Sequence, residues 1–568
     1  MTELSFKHYP QVAPDRSSSI SRIIHSWFDE KSQASIVSED RTKTAPYDYL
    51  AFLRETQLLT KTIGLPTEDG TGWDVDHIFD ASEALAFHGF VQWLMWHVSS
   101  LGVLPVWMSA PTEMRDRYEA WLATGLPAAF AMSEKAAGAD WRKTRTILTT
   151  RAEGVLTLHG EKNYAGNAQF SPMVSTFVVD TADKEPSFAF VRTSAGRPGY
   201  TVRKNAVPEQ MYVCDFTLTD YRVPNEDVIS RGPQAFRDAV NTINIGKVNL
   251  ATAALGLHSR MLLETFAHLE RRTIFKTRTS EFGQNREIIS RAIARNAAMR
   301  CYLEGCRRAM RRASQRDESY IVLNSMAKAL VTELLERSVT ELTDAASAFS
   351  FEIDSPVYAL RKYISYLPRL EGTKYVNLAQ TLKSAKTYVA RRRLHADSTG
   401  TSDGSFSIGR DYLLSPRGLG GFRQNVGSAP VERREDIDFD KTSHPVLEVM
   451  EVIEEWIHHT SLSMPTSNQA TNQALGEVYG WLVIATTLID TEDSVYFLES
   501  HLGVVGDELL RVLSSRRSIL RSVDFPVSKC VSLLLATGSA PTFDLEAARH
   551  SATIHRTSLW NPDGGIVQ

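Results

Sequence analysis

The sequence predicts a mainly α-helical protein with a β-domain set between helical regions. Three patterns carry that expectation. Near the N-terminus, Ile20, Ile23, Ile24 and Trp27 recur at about the helical period. Between Phe130 and Pro224 this gives way to short apolar runs bounded by turn residues. Further on, Leu250, Ala254, Leu257 and Met261 stand four, three and four residues apart, which builds one apolar helix face.

In chain order, residues 1–128 read as an N-terminal helical domain, with Pro105 and Pro111 as its late breaks. Residues 129–233 read as the middle β-domain. In it Thr176-Phe177-Val178-Val179 and Phe188-Ala189-Phe190-Val191 form buried strands. Tyr212, Cys214, Phe216 and Leu218 alternate with polar residues, as a half-buried strand requires. Residues 234–396 form a helical bundle. Residues 397–430, rich in Gly and Ser, form a linker. Residues 431–568 form an additional helical domain, with a loose tail at Trp560 to Gly565.

Composition narrows the class. A chain of 568 residues can bury several cores, and 43% apolar with 23% charged residues is ordinary for a globular protein. A formal net charge of -4 gives no general attraction for nucleic acid. Cys214, Cys301, Cys306 and Cys530 are too scattered for a disulfide framework, so reduced thiols in a cytoplasmic protein are expected. The first residues are polar, with no apolar core of a signal peptide, and no run is long enough to span a bilayer. His458-His459 lacks a third ligand at metal spacing, and no metal is expected.

Three stretches stand out chemically. Phe130-Ala131-Met132-Ser133-Glu134-Lys135-Ala136-Ala137-Gly138-Ala139-Asp140 offers small residues for close backbone approach and a hydroxyl donor at Ser133. A plain polar loop would look the same. Gly160-Glu161-Lys162-Asn163-Tyr164-Ala165-Gly166-Asn167-Ala168 places an aromatic before a small-residue turn, fit to lie beside a planar ring or to close a hairpin over a packed Tyr. Glu371-Gly372-Thr373 puts a carboxylate and a glycine just before a helix. There a tight backbone is allowed and the helix N-terminus favours negative charge.

In their order along the chain these segments resemble the acyl-CoA dehydrogenase family of flavoproteins. The resemblance also takes in Asp215 to Pro224, Lys247 ahead of Ala254-Leu255-Gly256, and Arg272-Thr273-Ile274-Phe275-Lys276. It covers roughly Ser17 to Ala396 and implies the family fold: an N-terminal helical domain, a β-barrel-like middle domain and a C-terminal helical bundle. It also implies FAD, an acyl thioester on CoA or an acyl carrier protein, and α,β-dehydrogenation to the 2-enoyl thioester with hydride transfer to flavin N5. Glu371 would be the α-proton base, its pKa raised by burial. Met132 and Ser133 would meet the flavin edge, and Tyr164 and Gly166 would flank its ring. Arg272, Phe275 and Thr373 would serve the ADP half, while Ala139, Lys247 and Gly372 would lie along the substrate. The cross-subunit cofactor contact of the family implies a homodimer or homotetramer.

This chain departs from the family pattern at several of these positions. Gly166 stands where a Thr or Ser is usual, Ala139 replaces Ser, Lys247 replaces Arg, and Lys276 replaces Gly. Residues 341–349 lack the glycines of the ADP-contact segment. The electron acceptor implied is an electron-transfer flavoprotein. Alternatives are an oxidase or monooxygenase of the same fold that uses oxygen, and a non-catalytic flavin-binding, DNA-associated homologue. The net charge of -4 opposes the last.

Overall fold

The computed structural model describes residues 11–31, 47–138, 140–151, 154–181, 187–207, 211–314, 318–395, 410–415, 444–492 and 495–536. The chain divides into two compact units. One comprises residues 15–249 with 407–420, the other residues 1–14, 250–406 and 421–568.

The first of these units opens with six described helices: α1 Ser19–Glu30, α2 Tyr47–Thr56, α3 Leu58–Ile63, α4 Val75–His88, α5 Phe90–Ser109 and α6 Thr112–Ala123. Ser18 caps α1 by accepting from the Ser21 amide, and Ile20, Ile24 and Phe28 form its buried stripe. Helix α5 is apolar nearly all round and buried along most of its length. The expected break at Pro105 does not occur, because Pro105 lies inside α5. Packing on every side outweighs the one backbone hydrogen bond a proline forfeits.

Eight strands follow: β1 Ala129–Ala131, β2 Ile147–Thr150, β3 Leu156–Gly166, β4 Val174–Asp180, β5 Ser187–Thr193, β6 Tyr200–Lys204, β7 Val213–Val223 and β8 Val228–Arg231. They form one sheet in the order β6-β7-β3-β2-β4-β5-β8, with β1 parallel to β4 off that path. The alternation read in residues 212–218 belongs to β7, where Cys214, Phe216 and Leu218 are buried. They join Leu148, Leu158, Val178 and Val191 in the β-domain core. Each such side chain contributes about 1.5–3 kcal/mol by leaving water. Helix α5 sits directly on this sheet: the Ser175 hydroxyl donates to the Gly102 carbonyl at 2.6 Å, and a Cβ at Gly102 would meet the Ala129 backbone.

After residues 1–14, the other unit resumes within the long helix α7, Gly232–Arg271. The hairpin β9 Thr273–Ile274 and β10 Thr277–Arg278 follows, then α8 Gly283–Arg311, α9 Ser319–Met326, a π-helical turn at Ala327–Val331, and α10 Thr332–Ala346. Helices α11 Pro356–Ile364, α12 Lys374–Leu382 and α13 Ala385–His395 complete the bundle. Leu250, Ala254, Leu257 and Met261 are all buried, as their spacing requires.

The C-terminal helices α15 Pro445–His459, α16 Gln469–Thr491, α17 Val495–Ser515, α18 Arg517–Arg521 and α19 Val527–Leu535 belong to this same unit. A fourteenth helix, α14 Arg410–Leu413, lies in the stretch read as a linker and joins the first unit. The tail at Trp560 to Gly565 lies outside the described residues. No described helix is long and apolar enough to cross a membrane.

Candidate active site

In the sheet unit, the two glycine- and alanine-rich motifs are tied together. The Asn163 amide donates to the Ser133 carbonyl at 2.9 Å, and the Lys135 amide donates to Asn163 Oδ1 at 2.9 Å. Beneath them Lys162 Nζ reaches Glu134 Oε1 at 2.8 Å and the Met132 carbonyl at 3.3 Å. Glu134 also accepts from the Arg145 and Thr146 amides and the Thr146 hydroxyl. Burial works against its charge, but Lys162 and these donors hold its carboxyl below the usual range. Met132 is buried on this base, while Ser133 is exposed above it.

Tyr164 does not close a hairpin over a packed ring. It lies within β3 at φ 56°, where the pairing with β7 slips between Lys162 and Ala165. This bulge turns its side chain outward, and Tyr164 is 61% exposed. Its amide donates to Asp215 Oδ1 at 3.1 Å. Burial opposes the Asp215 carboxylate, yet the hydrogen bonds from Tyr164, Asn205 and Asn163 hold its pKa down. Gly166, two residues on, faces α5: a Cβ there would stand 2.9 Å from Val98 Cγ2. The hydroxyl-bearing side chain usual at this position therefore fits only if Val98 shifts. Asn167, at φ 61°, donates to the Met95 and Ala128 carbonyls and locks the strand end to α5.

In the other unit, Glu371 is half-buried on the loop between α11 and α12. It stands at φ 48° and Gly372 at φ 89°, two successive left-handed residues. For glycine this is free, whereas glutamate pays about 1–3 kcal/mol unless its surroundings over-determine the conformation. Restraints lie on both flanks. Arg369 pairs with Glu336 at 2.7 Å, and Lys374 pairs with Glu333 at 2.6 Å. Both carboxylates come from α10, one turn apart. Asn377 Nδ2 donates to the Gly372 and Thr373 carbonyls at 3.3 and 3.0 Å. Thr373 is the exposed N-cap of α12 and makes no side-chain cap bond. Lys247, which belongs to the sheet unit, is buried on α7.

Arg272 is exposed at the foot of the β9–β10 hairpin. The two-residue turn of that hairpin is Phe275 at φ 53° and Lys276 at φ 66°. Both need the left-handed region of a type I′ turn, where Gly is favoured, so Lys276 in place of Gly carries strain. The turn holds Phe275 91% exposed. At the segment lacking its glycines, Ser347 takes φ 56° and Phe349 stacks on His268 with centroids 4.3 Å apart. Burial, then Arg272 and Arg271, push the His268 pKa down to about 4. Ala139 lies outside the described residues.

One cluster had no sequence signal. Cys301, Glu492 and His501 bring their ligand-type atoms within 4.8 Å of one another. His501 Nε2 donates to Glu492 at 3.2 Å, and burial with the Glu492 charge holds the Cys301 thiol protonated. That is a hydrogen-bonded knot rather than a thiolate site.

The model of the family described as "Acyl-CoA dehydrogenase, C-terminal domain" matches residues 235–386, the stretch that holds Lys247, Arg272, Phe275 and Glu371. The short-chain specific acyl-CoA dehydrogenase of Megasphaera elsdenii is 23% identical over 291 residues, 50% of this chain and 74% of that relative. The human very long-chain specific enzyme is 26% identical over 209 residues, 34% of this chain and 31% of that relative. Among solved structures, butyryl-CoA dehydrogenase from M. elsdenii aligns with a TM-score of 0.58 at 20% identity, over 64% of this chain and 96% of its own. An acyl-CoA dehydrogenase complexed with FAD from Bacillus anthracis aligns with a TM-score of 0.71 at 16% identity, over 96% of both chains. The bundle segment matches the acyl-CoA dehydrogenase family model, and the chain has the acyl-CoA dehydrogenase fold.

Within the acyl-CoA dehydrogenase fold, the likeness to the B. anthracis structure extends through helices α15–α19, beyond the stretch the sequence motifs reach. The matched segments span 74% of the M. elsdenii relative but only 31% of the human one.

Proposed function

We propose that this chain dehydrogenates an acyl thioester at its α,β-bond, with Glu371 as the α-proton base and FAD as cofactor. The observation that carries this reading is the Glu371 loop. An acid held at φ 48° between two ion pairs to one helix stands on a braced backbone, at a conformational cost that a glycine there would not carry. Removing the proton beside a thioester carbonyl demands such placement, because the carbon acid is far weaker than the base.

The residues on the sheet unit suit FAD. Ser133 and Tyr164 are both exposed, on backbone segments joined by the bond from the Asn163 amide to the Ser133 carbonyl and stiffened by Lys162 and Glu134. Those features favour one polar edge and one flat face of a planar heterocycle. FAD, when bound, supplies the two-electron acceptor. The chain's own work is to orient the thioester, exclude water and receive the α-proton at the Glu371 carboxylate. Arg272 and the exposed Phe275 would serve the ADP half, Phe275 reaching toward a second subunit of a dimer or tetramer. Thr373 would sit beside the phosphates. Lys247, Gly372 and Ala139 would line the thioester, carried by CoA or an acyl carrier protein. Electrons would pass to an electron-transfer flavoprotein, or to oxygen.

Anaerobic mixing of the yellow protein with a series of acyl thioesters tests the reading. One chain length should bleach the flavin, and Glu371→Gln should slow bleaching by about 10²–10⁴-fold while leaving the flavin bound. Bleaching at the wild-type rate in that variant would end the assignment. Admission of oxygen afterwards separates an oxidase, which recolours fast with peroxide, from a dehydrogenase.

A further inference from the structure

From the C-terminal helices a buried acid reaches the helix start next to the Glu371 loop. Glu477, on α16, has its side chain 2% exposed and lies 3.1 Å from Lys374 Nζ. Lys374 is three residues past Glu371 and opens α12. A cation in the first turn of a helix opposes the macrodipole, and no acidic residue in that turn offsets it. Its compensation comes from two other helices: Glu333 of α10 at 2.6 Å and Glu477 of α16 at 3.1 Å. Two carboxylates thus share the ammonium.

Glu477 is in turn held in place. Arg511 and Arg516 approach it at 3.5 and 3.6 Å, and Arg511 also bonds Glu508, which pairs with Arg337 of α10 at 2.6 Å. Next to it, Gly476 lets α16 lie against α12: a Cβ there would stand 2.9 Å from Leu378 Cβ. The Tyr479 hydroxyl lies 3.1 Å from Ser384 Oγ, just beyond the end of α12. Of the polar restraints described on the segment from Arg369 to Lys374, Glu477 alone comes from beyond residue 386, where the family match stops.

We propose that Glu477 is a positioning residue: acting through Lys374, it fixes the left-handed backbone at Glu371–Gly372 and so aims the base, which gives the C-terminal helices a role in catalysis. This rests on the reading of Glu371 as the α-proton base. A contact that sets the direction of a reacting group changes the chemical step more than it changes substrate binding.

The test uses the full chain with Glu477→Gln, Lys374→Met and the double variant. Two readouts are taken. Amide hydrogen exchange over residues 370–377, measured without added cofactor, should speed up in each variant while β3 and β7 keep their protection. The anaerobic bleaching rate per bound flavin should fall about tenfold to a hundredfold, KM for the thioester should hold within about twofold, and the double variant should be no worse than either single one. Unchanged exchange over 370–377, an unchanged rate per bound flavin, or strictly multiplicative losses would overturn the proposal. Lys374→Met guards against poor folding of the variant at the buried acid, since Lys374 is at the edge of the cluster. Glu371→Gln separates the two claims. If it abolishes bleaching while Glu477→Gln leaves the rate per flavin intact, positioning fails alone; if it bleaches normally, both fail.

Discussion

Lys162 Nζ stands 2.8 Å from Glu134 Oε1 with the two side chains 0% and 4% exposed, so one buried ion pair joins the loop of Met132 and Ser133 to the strand of Tyr164 and Gly166. Burial lowers the Lys162 pKa to about 8, and the Glu134 charge limits the fall. A pair so deep gives little net stability over an apolar one, but breaking it strands a charge.

Lys162→Met should therefore lower stability by about 3 kcal/mol, at the low end for a broken buried pair because Glu134 keeps its amide and hydroxyl donors. Glu134→Gln added to it should recover part of the loss, since it removes the stranded charge and its amide oxygen still accepts from the Thr146 amide and hydroxyl, though the bond from the Arg145 amide is lost. Urea unfolding of the three proteins measures this. Equal midpoints for wild type and Lys162→Met would remove the pair from the account.

Gly166 has a cause in this structure other than divergence. Because Val98 of α5 occupies the space a side chain would need, Gly166→Thr should cost about 1–3 kcal/mol through overpacking. Val98→Ala in the same chain should return most of it, as a rise in melting temperature over the single variant. Should Gly166→Thr melt with the wild type, the helix is free to yield and the missing hydroxyl needs another explanation.

How far these features were legible depends on their range along the chain. The buried faces of β7 and α7 follow from spacings of two and of three to four residues, which local sequence records. The order of the motifs placed Glu371 before a helix, and a helix does begin at Lys374. Of the two local readings of Tyr164, the packed hairpin lid fails, because a bulge depends on how β3 pairs with β7, some fifty residues away. Pro105 looked like a terminator because propensity ignores a helix buried on all sides. The contact of Lys374 with Glu477 joins residues about a hundred positions apart and leaves no periodic trace. The same distance hid the union of α15–α19 with the bundle, which residue pattern alone presented as a separate domain.

The last prediction concerns acid. His258 is fully buried in α7; its Nδ1 accepts from Asn296 Nδ2 at 3.0 Å, which leaves Nε2 to donate to Ser338 Oγ at 2.8 Å. The ring is thus held neutral in one tautomer, and burial, then Arg295 and Arg300, push its pKa down to about 3 from 6.5. Between those values the unfolded chain binds a proton that the folded chain refuses. Stability from this group is whole above pH 6.5 and drains away as pH falls, at about 1.4 kcal/mol per pH unit. His258→Gln removes that proton-linked loss. The variant should be weaker than wild type at pH 7, and the gap should narrow at pH 6 and pH 5 as the wild type pays for its neutral ring. Urea midpoints at the three pH values check this, and a gap independent of pH would mean that His258 takes up its proton inside the folded protein.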